Sequence, residues 1–138
     1  MRQLVKREGL EDRVEIWSAG TGDWHVGDPR DKRSQAVGAA RGAPLTGCAR
    51  QFTSASFDAC DYVLAMDRSN REELLRLARG DADRAKLRLL RAFDPVAPRD
   101  AEVPDPYYGG SSGFEDVFDM CEAACRGLIA HLRRAHAL

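Results

Sequence analysis

The segment with the most chemical character in this sequence is residues 103–110, Val-Pro-Asp-Pro-Tyr-Tyr-Gly-Gly. Prolines on both sides of Asp105 stiffen the backbone, and Tyr107 and Tyr108 supply aromatic surface beside the carboxyl group. A carboxyl group held rigidly against aromatic walls is suited to protonate a leaving group. Composition alone favours a simpler interpretation, a proline-rich turn on which the two tyrosines pack.

A second candidate segment is the small-residue loop Ser18-Ala-Gly-Thr21, which follows the alternating residues Val14–Trp17. Small residues let the backbone approach a ligand or another element closely, and a strand that runs into such a loop often borders a site. Trp24 comes shortly afterwards, and it is either a pocket wall or a half-exposed packing residue.

The four cysteines show no spacing of a metal or redox motif. Cys121 and Cys125 lie on an apolar stripe of helical period, so core packing explains both. We expect reduced and mostly buried thiols for these two and for Cys48 and Cys60, rather than disulfides or a metal site. The sequence therefore predicts no metal and no cofactor.

The charge balance argues against two classes of partner. The chain has 21 Lys and Arg against 22 Asp and Glu, a net charge of -1, so no bulk field attracts nucleic acid or an anionic membrane. No apolar run is long enough for a signal peptide or a spanning helix, which predicts a cytoplasmic location. With 138 residues we expect one domain, residues 1–138.

Apolar segments alternate between helical and strand periodicity, which indicates an α/β fold. Ser69 and Glu72 match a capping box and predict a helix start, whereas no capping residue precedes the helix that begins at Met1. The periodicity predicts helices over 1–9, 31–41, 69–79 and 114–132, and strands over 14–17, 62–66 and 86–91.

Six segments together resemble the low-molecular-weight protein-tyrosine phosphatases, in the family's order and at its approximate separations. They are Ser18-Ala-Gly-Thr21, Trp24, Ala49-Arg-Gln51, Asp61–Asn70, Asp105-Pro-Tyr-Tyr-Gly109 and Cys121–Arg126. The resemblance implies a four-stranded parallel sheet in three layers, flanked by helices. It also implies hydrolysis of aromatic phosphate monoesters through a cysteinyl-phosphate intermediate, without a metal or cofactor.

Individual roles follow from the same resemblance. Asp105 resembles the family's general acid, and Trp24, Tyr107 and Tyr108 resemble the aromatic walls that sandwich a phosphotyrosine ring. Ser18 resembles the hydroxyl that supports the phosphate-binding loop. The implied partners are a phosphotyrosine protein or a small aryl phosphate, with no nucleic acid and no membrane, and the implied state is a monomer or weak dimer.

The large departure from the family is the absence of its Cys-x5-Arg motif, whose cysteine is the nucleophile and whose arginine holds the phosphate. The residues six positions after the four cysteines are Ser54, Met66, Gly127 and His131. We therefore expect no hydrolysis by the chain as written. We also expect that the natural reading frame begins upstream, that residues 1–138 are an N-terminally truncated domain, and that the first, central strand is missing from this chain.

Two alternatives remain open at the level of sequence. A non-catalytic phosphatase-like module would bind an aromatic or phosphorylated partner through Trp24, Tyr107 and Tyr108, although it would have no need of the proton donor Asp105. An arsenate reductase on the same scaffold would need the missing nucleophile and a set of redox cysteines, for which the cysteines of the buried stripe are poor candidates.

Overall fold

The computed structural model describes residues 1–22, 26–29, 31–106 and 111–138, without the side chains of residues 111 and 112. In these residues the helices are α1 (Arg2–Arg7), α2 (Lys32–Ala40), α3 (Arg68–Leu77), α4 (Asp81–Lys86) and α5 (Ser111–His136). The strands are β1 (Val63–Ala65) and β2 (Leu87–Leu89), and 3₁₀ helices cover Ser54–Ala59 and Leu90–Phe93.

β1 and β2 form a parallel pair in which Val63 lies opposite Leu87 and Ala65 opposite Leu89. Parallel neighbours need a crossover connection, and α3 and α4 supply it here. The α/β class is as predicted, and the described residues contain two parallel strands. The further strands of a four-stranded sheet, including the central one, stay a prediction.

Residues 14–17, which we predicted to be a strand, carry no strand in the structure. An arginine side chain meets the Ile16 carbonyl instead of a neighbouring strand: Arg2 donates to it from Nε at 3.3 Å and Nη2 at 3.0 Å. Two residues further on, Arg50 Nε donates to the Ser18 carbonyl at 3.3 Å. A cavity of about 590 Å³ lies beside this segment and is lined by residues 11–16 with Arg2 and Val5.

α5 packs closely against the 3₁₀ helix Leu90–Phe93. The closest approach is at Gly127, where a Cβ atom would lie 1.7 Å from the Phe93 carbonyl oxygen. Only glycine fits at such a contact, because any side chain would have to displace backbone. Further along α5, Ala124 and Ile129 pack against Leu4 and Val5 of α1 in one core cluster.

The second core cluster lies around the two strands and centres on Phe57, which is completely buried. Phe57 makes an edge contact with Phe52, with ring centroids 5.0 Å apart. At the rim of this cluster Arg79 binds two carboxylates, Asp58 at 2.6 Å and Asp83 at 2.8 Å. The Arg79 guanidinium holds the pKa of Asp83 down at about 2.

The helices differ from the prediction in several places: α4 was not predicted, α5 extends beyond 114–132 at both ends, and α3 has a different N-cap. α3 begins at Arg68, and its N-cap is Asp67, whose carboxylate accepts a 2.7 Å hydrogen bond from the Asn70 backbone N–H. The predicted cap Ser69 therefore lies inside the helix, and that prediction was wrong. The ending of α1 agrees with the prediction, since Gly9 follows it with a φ of +67°, the left-handed geometry of a helix terminus.

Candidate active site

The loop that leads to Asp105 is tied to the carboxyl end of β1. Val103, 5% exposed, donates its backbone N–H to the carbonyl of Met66 at 2.7 Å, and Met66 directly follows β1. Arg91 Nη1 donates to the Glu102 carbonyl at 3.0 Å. Asp105 follows two residues after Val103 and is exposed, so its carboxyl group is accessible at this edge.

Side-chain ion pairs fix the same loop from α3. Arg68 Nε donates to the Glu102 carboxylate, and Arg71 lies 3.8 Å from Asp100. The Arg68 guanidinium lowers the pKa of Glu102, and that carboxylate in turn raises the pKa of Arg68. Both groups are therefore charged at neutral pH, which keeps the pair intact there. Since the Arg68 side chain is exposed and that of Glu102 partly so, solvent screens the pair and it adds little to the stability of the fold.

The small-residue loop at Ser18 is joined to residues 50–52. Gly20 donates its N–H to the Arg50 carbonyl at 2.8 Å and accepts from the Phe52 N–H at 2.8 Å. The Arg50 guanidinium lies over the Trp17 ring, 4.1 Å from its centroid. Ser18 itself is exposed.

Arg50 is a site-supporting residue that sequence reasoning missed as such. In the sequence, Arg50 stands within the segment Ala49-Arg-Gln51, for which no role was predicted. Its guanidinium stacks on Trp17 and its Nε reaches the Ser18 carbonyl, so it positions the loop through two contacts. A signal for this role exists in the sequence, because Trp17 directly precedes the Ser18 loop and an arginine can stack on its ring. Arg50 lies more than thirty positions further along the chain, so local spacing does not connect the two.

Three predicted site residues, Trp24, Tyr107 and Tyr108, lie outside the described residues. The aromatic walls therefore stay a prediction. Of the predicted site, the structure describes Ser18 and Asp105, each in a loop held by backbone hydrogen bonds to a neighbouring segment.

The cysteines of α5 have the properties of packing residues. Burial raises the pKa of Cys121 to about 11 and raises that of Cys125 as well, so both thiols are protonated at neutral pH. A protonated thiol is a poor nucleophile. The neighbouring Arg126 is bound to Glu122 at 2.7 Å. This supports the interpretation of both cysteines as core residues.

The other two cysteines differ in exposure from the expectation of mostly buried thiols. Cys48 is exposed, and Cys60 is half-buried with a pKa raised by that burial. Across the described residues, no group of three His, Cys, Asp or Glu side chains is placed to hold a metal ion. In the same part of the chain, no helix is long and apolar enough to cross a membrane.

An α/β core that presents a carboxylate loop at the carboxyl end of a parallel strand has the arrangement of enzymes that bind their ligand at that edge. Comparison with known proteins gives the class. All residues, 1–138, match the family model described as low molecular weight phosphotyrosine protein phosphatase.

Individual relatives agree with the family match. A low molecular weight protein-tyrosine-phosphatase of Streptomyces coelicolor is 49% identical over 96% of this chain and 81% of its own length. The human low molecular weight phosphotyrosine protein phosphatase is 36% identical over 98% of this chain and 83% of its own. The crystal structure of an Entamoeba histolytica protein tyrosine phosphatase, solved with Hepes in its active site, superposes with a TM-score of 0.91. That structure is 34% identical and covers 97% of this chain and 85% of its own.

The chain belongs to the low molecular weight phosphotyrosine protein phosphatase family. The family predicted from the six sequence segments is therefore confirmed, together with its α/β fold.

Proposed function

We propose that this chain carries the general acid and the substrate walls of an enzyme that hydrolyses aryl phosphate monoesters through a cysteinyl-phosphate intermediate. The nucleophile and the phosphate-binding arginine belong to a Cys-x5-Arg segment that the 138 residues do not contain. The supporting observation is the hydrogen bond from Val103 to Met66, which brings the loop of Asp105 to the carboxyl end of β1.

In the first step the cysteine thiolate attacks phosphorus, and the bond between phosphorus and the phenolic oxygen breaks. Asp105, protonated at this stage, gives its proton to the departing phenolate, which leaves as the neutral phenol. Positioned proton transfer of this kind contributes about 10²–10⁴-fold in rate. The exposure of Asp105 allows its carboxyl group to reach a substrate at this edge.

In the second step water attacks the phosphocysteine. The Asp105 carboxylate accepts a proton from that water, the bond between phosphorus and sulfur breaks, and inorganic phosphate and the thiolate are released. Neither step uses a metal ion or a cofactor. Ser18 supports the phosphate loop through its hydroxyl, in a segment that Arg50 fixes from the opposite side.

The substrate class follows from the aromatic residues of the two loops. Trp24, Tyr107 and Tyr108 are proposed as the walls of a slot that takes a phenyl ring, which selects phosphotyrosine in proteins or small aryl phosphates over alkyl phosphates. We further propose that residues 1–138 act as one domain, a monomer or weak dimer, in the cytoplasm. The charge balance gives no field for nucleic acid or membrane partners.

A second candidate function, a non-catalytic binding module, is favoured by one observation. None of the four cysteines is followed by the required arginine, and the two in α5 are protonated at neutral pH. In that case the same aromatic slot binds a phosphotyrosine ligand without turnover.

The deciding experiment is hydrolysis of p-nitrophenyl phosphate by two proteins. The first is the 138-residue chain, for which we expect no turnover above background. The second carries, ahead of Met1, an added strand and phosphate-binding loop with a Cys-x5-Arg motif. We expect an increase on the order of 10⁶-fold there, because the nucleophile of a covalent enzyme contributes about that much.

The matched control is the extended protein with its added cysteine changed to serine, which should return to background. Cys121→Ser in the extended protein should leave turnover unchanged. Turnover by the 138-residue chain itself would contradict the proposed nucleophile. An inactive but folded extended protein would favour the binding module.

A further inference from the structure

A tyrosine and two histidines converge at the end of α5. The phenolic oxygen of Tyr62 lies 3.2 Å from Nε2 of His131 and 2.9 Å from Nε2 of His136. Both imidazole rings stand nearly perpendicular to the phenol ring, at 83° and 80°, with ring centroids 5.8 Å away in each case. Both Nε2 atoms therefore face the same phenolic oxygen, and three possible ligand atoms lie close together.

This cluster lies away from the proposed catalytic edge. Tyr62 directly precedes β1, whereas the loop of Asp105 is bound to Met66, which directly follows it. The two features lie at opposite ends of one strand. Whatever the cluster binds is consequently separate from the phosphate chemistry.

With both imidazoles neutral, hydrogen counting leaves two proton arrangements for the cluster. The phenol carries a single hydrogen, so it donates to only one of the two Nε2 atoms. The other imidazole must carry its proton on Nε2 and donate to the phenolic oxygen. A cation bound between the two Nε2 atoms and the phenolic oxygen would replace both hydrogen bonds, with each ring carrying its proton on Nδ1 and offering its Nε2 lone pair.

The ligand positions are already supported and remain reachable. His131 is half-buried, and its ring packs on Phe93 with centroids 5.2 Å apart, which limits its rotation. Phe93 belongs to the 3₁₀ helix against which α5 packs at Gly127. His136 is exposed, so an ion can enter from solvent.

We propose that Tyr62, His131 and His136 form a binding site for a divalent transition-metal ion of borderline softness, such as Zn²⁺. The two Nε2 atoms and the phenolic oxygen are the protein ligands, and water completes the coordination. The phenolic proton leaves to solvent on binding. Imidazole nitrogen is a preferred ligand of zinc, copper and nickel, and the bound ion connects the start of β1 to the end of α5.

The test is a titration of the tag-free 138-residue chain with ZnCl₂ at pH 7.5, followed by calorimetry and by the unfolding temperature. We expect saturable binding of one ion and a rise in the unfolding temperature, because a ligand that binds only the folded state stabilises it. Binding should weaken steeply by pH 5.5, since protonated imidazole does not ligate metal.

Three variants assign the ligands. His131→Gln and His136→Gln should each weaken Zn²⁺ binding by at least about tenfold, in line with the losses seen when support of a metal site is removed. The third histidine of the chain offers a matched control, and His25→Gln should leave the affinity unchanged. Tyr62→Phe should weaken binding while both imidazoles remain.

Cu²⁺ electron paramagnetic resonance on the His25→Gln chain provides a readout that does not depend on folding of the ligand variants. Hyperfine structure from two imidazole nitrogens supports the site. Three results would overturn the proposed metal site: a spectrum with fewer than two coupled imidazole nitrogens, no saturable Zn²⁺ binding, or an unchanged affinity in the His131→Gln/His136→Gln double variant. In each case the three side chains would form a hydrogen-bonded cluster only. None of these outcomes depends on the proposed phosphatase activity.

Discussion

The two core clusters of this molecule differ in how completely their backbone is paired. Around β1 and β2 the strands form a parallel ladder, Phe57 is completely buried, and the Asp105 loop is bound to the end of the ladder. Around residues 14–16 a cavity of about 590 Å³ lies beside the backbone, and an arginine side chain satisfies the Ile16 carbonyl. The loop of Asp105 is joined to the end of a paired strand, whereas the segment leading to Ser18 has no strand neighbour among the described residues.

The largest expected effect addresses the acid side. In the extended, active protein, Asp105→Asn should slow phenyl phosphate hydrolysis by about 10²–10⁴-fold, because the departing phenolate is no longer protonated. The loss should be much smaller for 2,4-dinitrophenyl phosphate, whose leaving group needs no proton. Steady-state rates with both substrates measure the difference, and an equal loss for both would show that Asp105 is not the acid.

A pair of core substitutions compares the two clusters directly. Phe57→Ala should reduce the free energy of unfolding by about 3–5 kcal/mol, since it empties a fully enclosed position. Ile16→Ala, at a half-buried position beside the cavity, should cost about 1 kcal/mol. Urea denaturation of the 138-residue chain gives both values. Equal losses would mean that the two clusters are equally well packed.

The pH dependence of stability tests the ion pair of Arg79 and Asp83, at the rim of the core cluster around β1 and β2. Arg79 depresses the pKa of Asp83 to about 2 in the folded state, below its ordinary value of 3.8. The stabilisation is therefore complete above about pH 5 and is lost progressively as the pH falls through 3.8 toward 2. In the Asp83→Asn variant the free energy of unfolding should be lower and should change less with pH across that interval. Unfolding midpoints measured between pH 2 and 5 test this, and an unchanged pH dependence would contradict it.

The smallest expected effect is a difference in thiol reactivity between exposed and buried cysteines. Iodoacetamide at pH 7.5 should label the exposed Cys48 and leave Cys121 and Cys125 unmodified in the folded chain, because burial keeps those thiols protonated. Peptide mass spectrometry locates the label, and unfolding in urea should expose the remaining thiols. Rapid labelling of Cys121 in the folded state would revive it as a candidate nucleophile.

The sequence predicted the elements that depend on local periodicity, including α5, the buried strand at β1 and the helix ending at Gly9. It misplaced the start of α3 because two capping patterns overlap there. Asp67 and Ser69 are both good caps by residue type, and the structure uses Asp67, which ends the extended segment after β1. It did not predict the contacts of Arg50 with Trp17 or of Arg91 with Glu102, since such pairs are set by the tertiary fold rather than by local spacing.

For the candidate site, the sequence supplied the identity of Asp105 and Ser18 through motif resemblance, but not what holds them. The hydrogen bond between Val103 and Met66 joins segments more than thirty residues apart, and both partners are backbone atoms that any residue type could provide. No side-chain pattern could have predicted it. The strand predicted over residues 14–17 is absent for a related reason. A strand depends on a paired neighbour as well as on its own residues, and local alternation does not reveal that neighbour.

The close contact at Gly127 fixes the position of α5 at that point, so a tilt of the helix there moves its distant end most. The helix begins sixteen positions before Gly127, at Ser111, shortly after the loop of Asp105. At a rise of about 1.5 Å per residue, that end lies roughly 24 Å from Gly127. A tilt of only about 5° forced by a side chain at Gly127 would shift the beginning of α5 by roughly 2 Å at that rise. If Asp105 is the proposed acid, a single methyl group at Gly127 would shift its loop, and the tolerance of this position to substitution would depend on catalysis as well as on packing.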